Sequence, residues 1–262
     1  MLHSEKLQIY DMLKKASDSF YGFGSPSFPP ERPDFIDDPS PDESGKTQTP
    51  PPPEIEIAES GALTDLARQV VSCSRCGLCA QRRNAVPGMG VTEPFVLVVG
   101  EGPGEQEDAR GLPFVGPAGQ LLDKMLAAIS LYRNANCFIT NIVKCRPPMN
   151  RTPTPEEAAD CMPFLRAQVK ILKPKALLAA GTTAIKTLLN TKTGIMRLHG
   201  KLFEFDGIPL LATYHPSLLL RYSDYKRAAW EDLKIFRAKL LEINPEYASI
   251  KNAPFGFPEG GA

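Results

Sequence analysis

The chain has 262 residues, 42% of them hydrophobic, and its 30 basic and 30 acidic side chains cancel. That length and apolar content suit one large domain or two small ones with a sizeable core. No run of 18 apolar residues occurs, which excludes a membrane-spanning helix, and the acid-bearing N-terminus MLHSEKLQIYDMLKKASDSF lacks the apolar stretch of a signal peptide. A cytoplasmic protein is expected, and there the six cysteines are not expected to pair as disulfides.

The charge is unevenly spread. Residues 1–60 hold 12 acids and 5 bases, leaving 18 acids against 25 bases from 61 onward, an excess of seven positive charges. An acidic arm therefore precedes a basic body, and a basic body suits a polyanionic partner.

In chain order, residues 5–20 have the spacing of a short amphipathic helix. Residues 21–60 hold ten of the 26 prolines and predict a disordered tether whose partner, if any, the sequence does not name. The globular body is expected over 61–245, with 246–262 as a C-terminal tail. Within the body, 62–72 reads as a helix, FVLVVG (95–100) as a buried strand and 117–130 as the helix after it. CFITNIVKC (137–145) is a second strand. Thr154, Pro155 and Glu157 form a capping-box signature that opens a helix over 155–172, ending before Lys173-Pro174. KALLAAG (175–181) is a third strand and TTAIKTLLN a short helix. KLFEFDGIPLLATYH (201–215) gives two strands about Asp206-Gly207, and 225–243 is the last helix. This alternation predicts an α/β fold with a parallel sheet covered on both faces, its crevice at the carboxyl ends of the strands. The loops GEGPG (100–104), KCRPP (144–148) and YHPS (214–217) leave strand ends and should converge.

Cys73, Cys76, Cys145 and Cys161 follow the spacing C-x2-C-x68-C-x15-C. Such thiols hold zinc or an iron–sulfur cluster, and spacing alone leaves both open. Cys79 offers a competing ligand; Cys137, inside a strand, reads as a small buried hydrophobe.

GEGPGEQEDARGLPFVGPAGQLLDKML, TNIVKCRPPMNRTPTPEE and YHPSLLLR together resemble the family 4 uracil-DNA glycosylases, the iron–sulfur members of the uracil-DNA glycosylase superfamily. The likeness runs from about Cys73 to Lys239. It implies a three-layer α/β/α sandwich on a mainly parallel four-stranded sheet, acting as a monomer on uracil-containing DNA. It also implies a [4Fe–4S] cluster on Cys73, Cys76, Cys145 and Cys161, with Cys79 and Cys137 outside the ligand set.

A glycosylase takes its base out of the stack and holds it in a pocket while negative charge grows on the departing ring. By the resemblance, Glu101 and Gly102 belong to the uracil loop and Phe114 stacks on the base. Asn141 reads its edge, because an amide offers one donor and one acceptor, matching O4 and N3–H and rejecting cytosine. His215 bonds uracil O2. Glu107 matches an acidic residue near the glycosidic bond, with three roles open: positioning water, crowding out a thymine methyl, or stabilising the sugar cation. The better-known family carries an Asp in GQDPYH, and Gly102 stands in that slot here, which leaves the general base unassigned.

Leu219, in SLLLR, is the expected wedge that enters the duplex as the base leaves. Arg146, Arg151, Arg221, Lys226 and Arg227 are candidate phosphate contacts. The reading is uracil excision without lyase chemistry, since no lysine matches a Schiff-base position. A catalytically weak uracil-DNA sensor of the same fold is the alternative. An iron–sulfur electron carrier fits less well, because the ligand pairs lie 68 residues apart.

Overall fold

The computed structural model describes residues 61–250. The arm 1–60, with its expected helix and tether, and the positions after 250 lie outside the described residues.

Among the described residues six strands form one sheet: β1 Met89–Gly90, β2 Val96–Gly100, β3 Cys137–Asn141, β4 Ala176–Ala180, β5 Leu202–Phe205 and β6 Ile208–Thr213, in the order β1-β3-β2-β4-β6-β5. The expected four-stranded parallel sheet is its centre, β3-β2-β4-β6. The expectation is corrected at the edges, where β1 and β5 pair antiparallel. β1 escapes sequence reading because two residues carry no periodicity. β5 and β6 join through Asp206 (φ 49°) and Gly207 (φ 78°), the left-handed pair that a tight hairpin needs.

Every residue of β2, β3 and β4 is buried, which requires helices on both faces. The helices are α1 Ala62–Val71, α2 Glu105–Arg110, α3 Pro117–Ala127, α4 Pro155–Leu172, α5 Thr182–Leu189, α6 Ile195–Leu198, α7 Pro216–Arg221 and α8 Tyr225–Ile243. α4 opens with the predicted reciprocal cap. Thr154 accepts from the Glu157 amide, and the Glu157 carboxylate accepts from the Thr154 amide at 2.8 Å. It stops at Lys173, which turns left-handed (φ 46°) ahead of Pro174.

Two boundaries move. β3 ends at Asn141, not at Cys145, so the segment from Ile142 onward is a loop at the strand's carboxyl end. The body also runs past 245. Pro245–Ser249 form a 3-10 turn whose Tyr247 is 1% exposed, stacks on Phe95 at 5.2 Å and donates to the Ile129 carbonyl at 3.1 Å. The expected tail thus begins later than 246, because one aromatic ring anchors its first residues in the core.

Candidate active site and cysteine cavity

A cleft of about 770 Å³ opens at the carboxyl ends of the parallel strands. All three predicted loops reach it, contributing Glu101 and Gly102, Pro147, and His215. The turn after β4 and the start of α5 join them through Gly181 and Thr183, two positions that sequence reasoning misses. The Thr183 hydroxyl donates to the Glu101 carboxylate, tying the first loop to the start of α5.

Register brings the floor together. Gly100, the last residue of β2, sits opposite Asn141, the last of β3. A Cβ on Gly100 would stand 2.4 Å from Asn141 Oδ1 and 2.5 Å from Phe114 Cζ, so only glycine lets both side chains crowd this strand end. Asn141 is 1% exposed, and its Oδ1 is the only buried side-chain oxygen or nitrogen among the described residues without a hydrogen-bond partner. Buried polar atoms are rarely left unpaired, and this one lies at the floor of the cleft, where an acceptor can meet a ligand's donor.

Phe114 is buried and holds a left-handed backbone (φ 51°), a genuine outlier for a bulky residue. Its ring centroid lies 5.7 Å from that of His215. His215 caps α7, and its Nδ1 accepts from the Ser217 amide at 3.2 Å and meets Ser217 Oγ at 2.7 Å. With Nδ1 accepting, a neutral ring carries its proton on Nε2. Burial, then the nearby Arg221, lower its pKa from 6.5 to about 4, so the ring is neutral at physiological pH and offers an N–H donor.

Glu107 lies in α2, a helix where the sequence suggests a loop. Its Oε1 accepts from the amides of Val115 and Gly116, both at 2.8 Å, and its Oε2 from the Gly104 amide at 3.2 Å. The acids of EQED (105–108) have structural partners. Glu107 stitches two loops together, Asp108 is buried and accepts from the Arg83 and Asn84 amides, and all lie at a helix start that favours negative charge.

Several predicted DNA contacts need correction. Leu219 is 2% exposed and belongs to the core, because α7 turns it inward; Leu218, one position earlier, lines the cleft. Lys226 is buried at 7% and leaves the surface set. Arg151 reaches the cleft rim, but its two terminal nitrogens fork onto Glu157 at 2.8 and 2.7 Å. Arg146 donates from Nε to Asn150 Oδ1 at 2.8 Å and so braces the turn beside it. Arg221 lines the rim and is exposed, and Arg227 is exposed.

A separate cavity between α1, the loop after β3 and α4 is lined by Cys73, Cys76, Cys145 and Cys161, as the spacing anticipates, and by Cys79. The Arg75 amide donates to Cys73 Sγ at 3.5 Å, the Lys144 amide to Cys161 Sγ at 3.3 Å, and Arg82 Nη1 to Cys145 Sγ at 2.9 Å. Burial raises the Cys76 and Cys145 thiols and pushes Cys161 up to about 12, against the pull of Lys144. Thiolates there call for a cation core among them. Among the described residues no three His, Cys, Asp or Glu side chains gather tightly enough for a single metal ion. Cys137 lies fully buried in β3, and burial raises its thiol, as expected of a hydrophobe.

Lys144 is the residue that joins this cavity to the cleft. It is 1% exposed, and its Nζ donates to Thr140 Oγ1 (2.6 Å), the Asn141 carbonyl (2.8 Å) and Gln168 Oε1 (2.8 Å). Burial lowers its pKa to about 8. Hydropathy offers no signal for it, since a lysine in a loop reads as solvated.

The model of the uracil DNA glycosylase superfamily matches residues 87–234. A type-4 uracil-DNA glycosylase of Archaeoglobus fulgidus is 38% identical over 66% of this chain and 90% of its own length. Namesakes from Thermotoga maritima and Pyrobaculum aerophilum are each 41% identical, over 64% and 66% of this chain and 90% and 92% of their own. A type-5 uracil-DNA glycosylase of Pyrobaculum aerophilum is 30% identical over 61% of this chain and 84% of its own.

Proposed function

The chain belongs to the uracil DNA glycosylase superfamily and, within it, to the type-4 uracil-DNA glycosylases, and from that premise we propose that it excises uracil from DNA. The bond broken is that between C1′ and N1. Its electron pair leaves with uracil, water adds to C1′ and loses a proton to solvent, and an abasic site remains.

The observation that carries this reading is the orphaned Oδ1 of Asn141 at the floor of the cleft. It accepts from uracil N3–H while the amide nitrogen donates to O4. Cytosine presents the reverse pattern on both atoms and is refused. Phe114 covers the ring. His215 donates from Nε2 to O2, a neutral donor aimed where charge accumulates. Glu107, with three backbone amides on its carboxylate, organises the loop and adds a fixed negative charge near the sugar. With Gly102 in the slot where the better-known family carries an Asp, catalysis rests on these fixed donors and charges more than on a dedicated base.

Cys73, Cys76, Cys145 and Cys161 hold a [4Fe–4S] cluster in this reading. The donor set fits: these four thiols line one cavity together with Cys79, which the resemblance leaves outside the ligand set, amides and Arg82 reach three of the four sulfurs, and Lys144 and Arg82 offset the negative charge that four thiolates would carry. Held by these residues, a cluster would cross-link the segment after α1, the loop after β3 and α4. Leu218 replaces Leu219 as the wedge, and Arg221 is the leading phosphate contact. The enzyme acts as a cytoplasmic monomer; among the described residues no helix is long and apolar enough to cross a membrane.

The test is release of free uracil from single- and double-stranded oligonucleotides carrying one uracil. Tight binding without release would indicate a sensor of the same fold; neither binding nor release would overturn the reading.

A further inference from the structure

We propose that Arg133, anchored by Asp123, is a positioning residue that holds Phe114 in the conformation that stacks on the base; the inference rests on the uracil-excision reading. Arg133 lies between α3 and β3 and is 3% exposed. Its Nε and Nη2 donate to Asp123 Oδ1 at 2.8 and 2.6 Å. The same guanidinium reaches the backbone of the Phe114 loop, with Nη1 donating to the Pro113 carbonyl and Nη2 to the Phe114 carbonyl, both at 3.1 Å.

Phe114 needs such a clamp. At φ 51° its backbone is held where a bulky side chain resists going, and such strain persists only when the surroundings over-determine it. Arg133 grips two consecutive carbonyls. On the next two residues, Glu107 grips the amides of Val115 and Gly116. The segment from Pro113 to Gly116 is thus fixed at one backbone group on each of four successive residues, by a cation and an anion. Beneath it, Gly119 supplies room: a Cβ there would stand 1.9 Å from the Phe114 carbonyl oxygen. A phenylalanine serving only as core filler does not need this much backbone control. The ring it aims stands beside His215 and lines the cleft.

Without Arg133, two carbonyls lose their donors and the loop relaxes to an ordinary backbone conformation, swinging the ring off the base. The effect runs through Phe114 and not through a contact with substrate, and a double-mutant cycle separates the two. Single-turnover uracil release is measured for the parental chain, Arg133→Gln, Phe114→Ala and the double variant, below the melting temperature of the least stable. Arg133→Gln should lower release on the order of 10-fold in the parental background and less than about 2-fold in the Phe114→Ala background. Losses that multiply in the two backgrounds would overturn the inference, since a general weakening of the fold acts whether or not the ring is present. Should Arg133→Gln fail to fold, the same cycle with Asp123→Ala, which leaves the guanidinium but removes its anchor, decides on the same criterion. Release by the parental chain tests the excision reading separately, so the two failures are distinguishable.

Discussion

Asn141→Leu sets stability against activity. The side chains have similar size and branching, but leucine has no acceptor to leave unpaired. An unsatisfied buried polar atom costs about 1–3 kcal/mol, and Asn141 Oδ1 is such an atom. Part of that cost is recovered on substitution, with some lost to the tighter fit of a tetrahedral Cγ beside Gly100. A net gain of about 1 kcal/mol raises the melting temperature by roughly 2–4 °C for a body of this size. Excision moves the other way. Both hydrogen bonds to uracil vanish and the polar edge of the base is buried unpaired, a loss of at least ~10-fold and up to ~100-fold in single-turnover release at one decade per 1.4 kcal/mol. Asn141→Asp should lose a similar amount, because an acceptor then faces uracil O4, while a protonated carboxyl weakens the discrimination against cytosine. The assays are a thermal melt of the full chain and uracil release from an oligonucleotide under single-turnover conditions. A leucine variant that melts lower than the parent, or one that releases uracil at the parental rate, would refute the idea that this oxygen is kept unpaired for a ligand.

His215→Ala should reduce single-turnover release more than it reduces binding of uracil-containing duplex, because the Nε2 donor strengthens only as O2 gains charge; a loss confined to binding would make His215 a docking residue. Since the folded ring titrates near pH 4 and the unfolded one near 6.5, the unfolded chain takes the proton first, and stability falls as pH drops through that window. The loss is at most about 1.4 kcal/mol per pH unit and less where water wets the ring, so the melting temperature of the parent should decline more steeply than that of His215→Gln. Cys145→Ser should lose visible absorbance and iron together with solubility, and Cys79→Ser should lose neither; stoichiometric zinc after anaerobic purification would contradict the cluster. Leu219→Ala should destabilise the fold by about 2–5 kcal/mol as a core truncation. Leu218→Ala should leave the melting temperature unchanged while slowing release from duplex more than from single strands, and equal slowing on both would remove it as the wedge.

Local chemistry makes much of this protein legible. Fully apolar runs mark β2, β3 and β4, a capping box marks the start of α4, and Asp206-Gly207 marks the hairpin, because each depends on residues within a few positions of one another. The three loops at strand ends and the cysteines at 73, 76, 145 and 161 are also visible, since strand order and spacing bring them near a common end. Tertiary structure alone decides the rest. β1 exists only because β3 offers it an edge. Leu218 and Leu219 are indistinguishable as letters, and only the packing of α7 turns one to the cleft and the other to the core. Tyr247 reads as part of a tail until its hydroxyl finds the Ile129 carbonyl, 118 positions away. Nothing in the sequence marks Lys144 or Arg133 as buried, or shows that the Glu107 carboxylate accepts from three backbone amides. Their roles come from partners distant in sequence or from backbone groups, which carry no side-chain identity for a sequence to display.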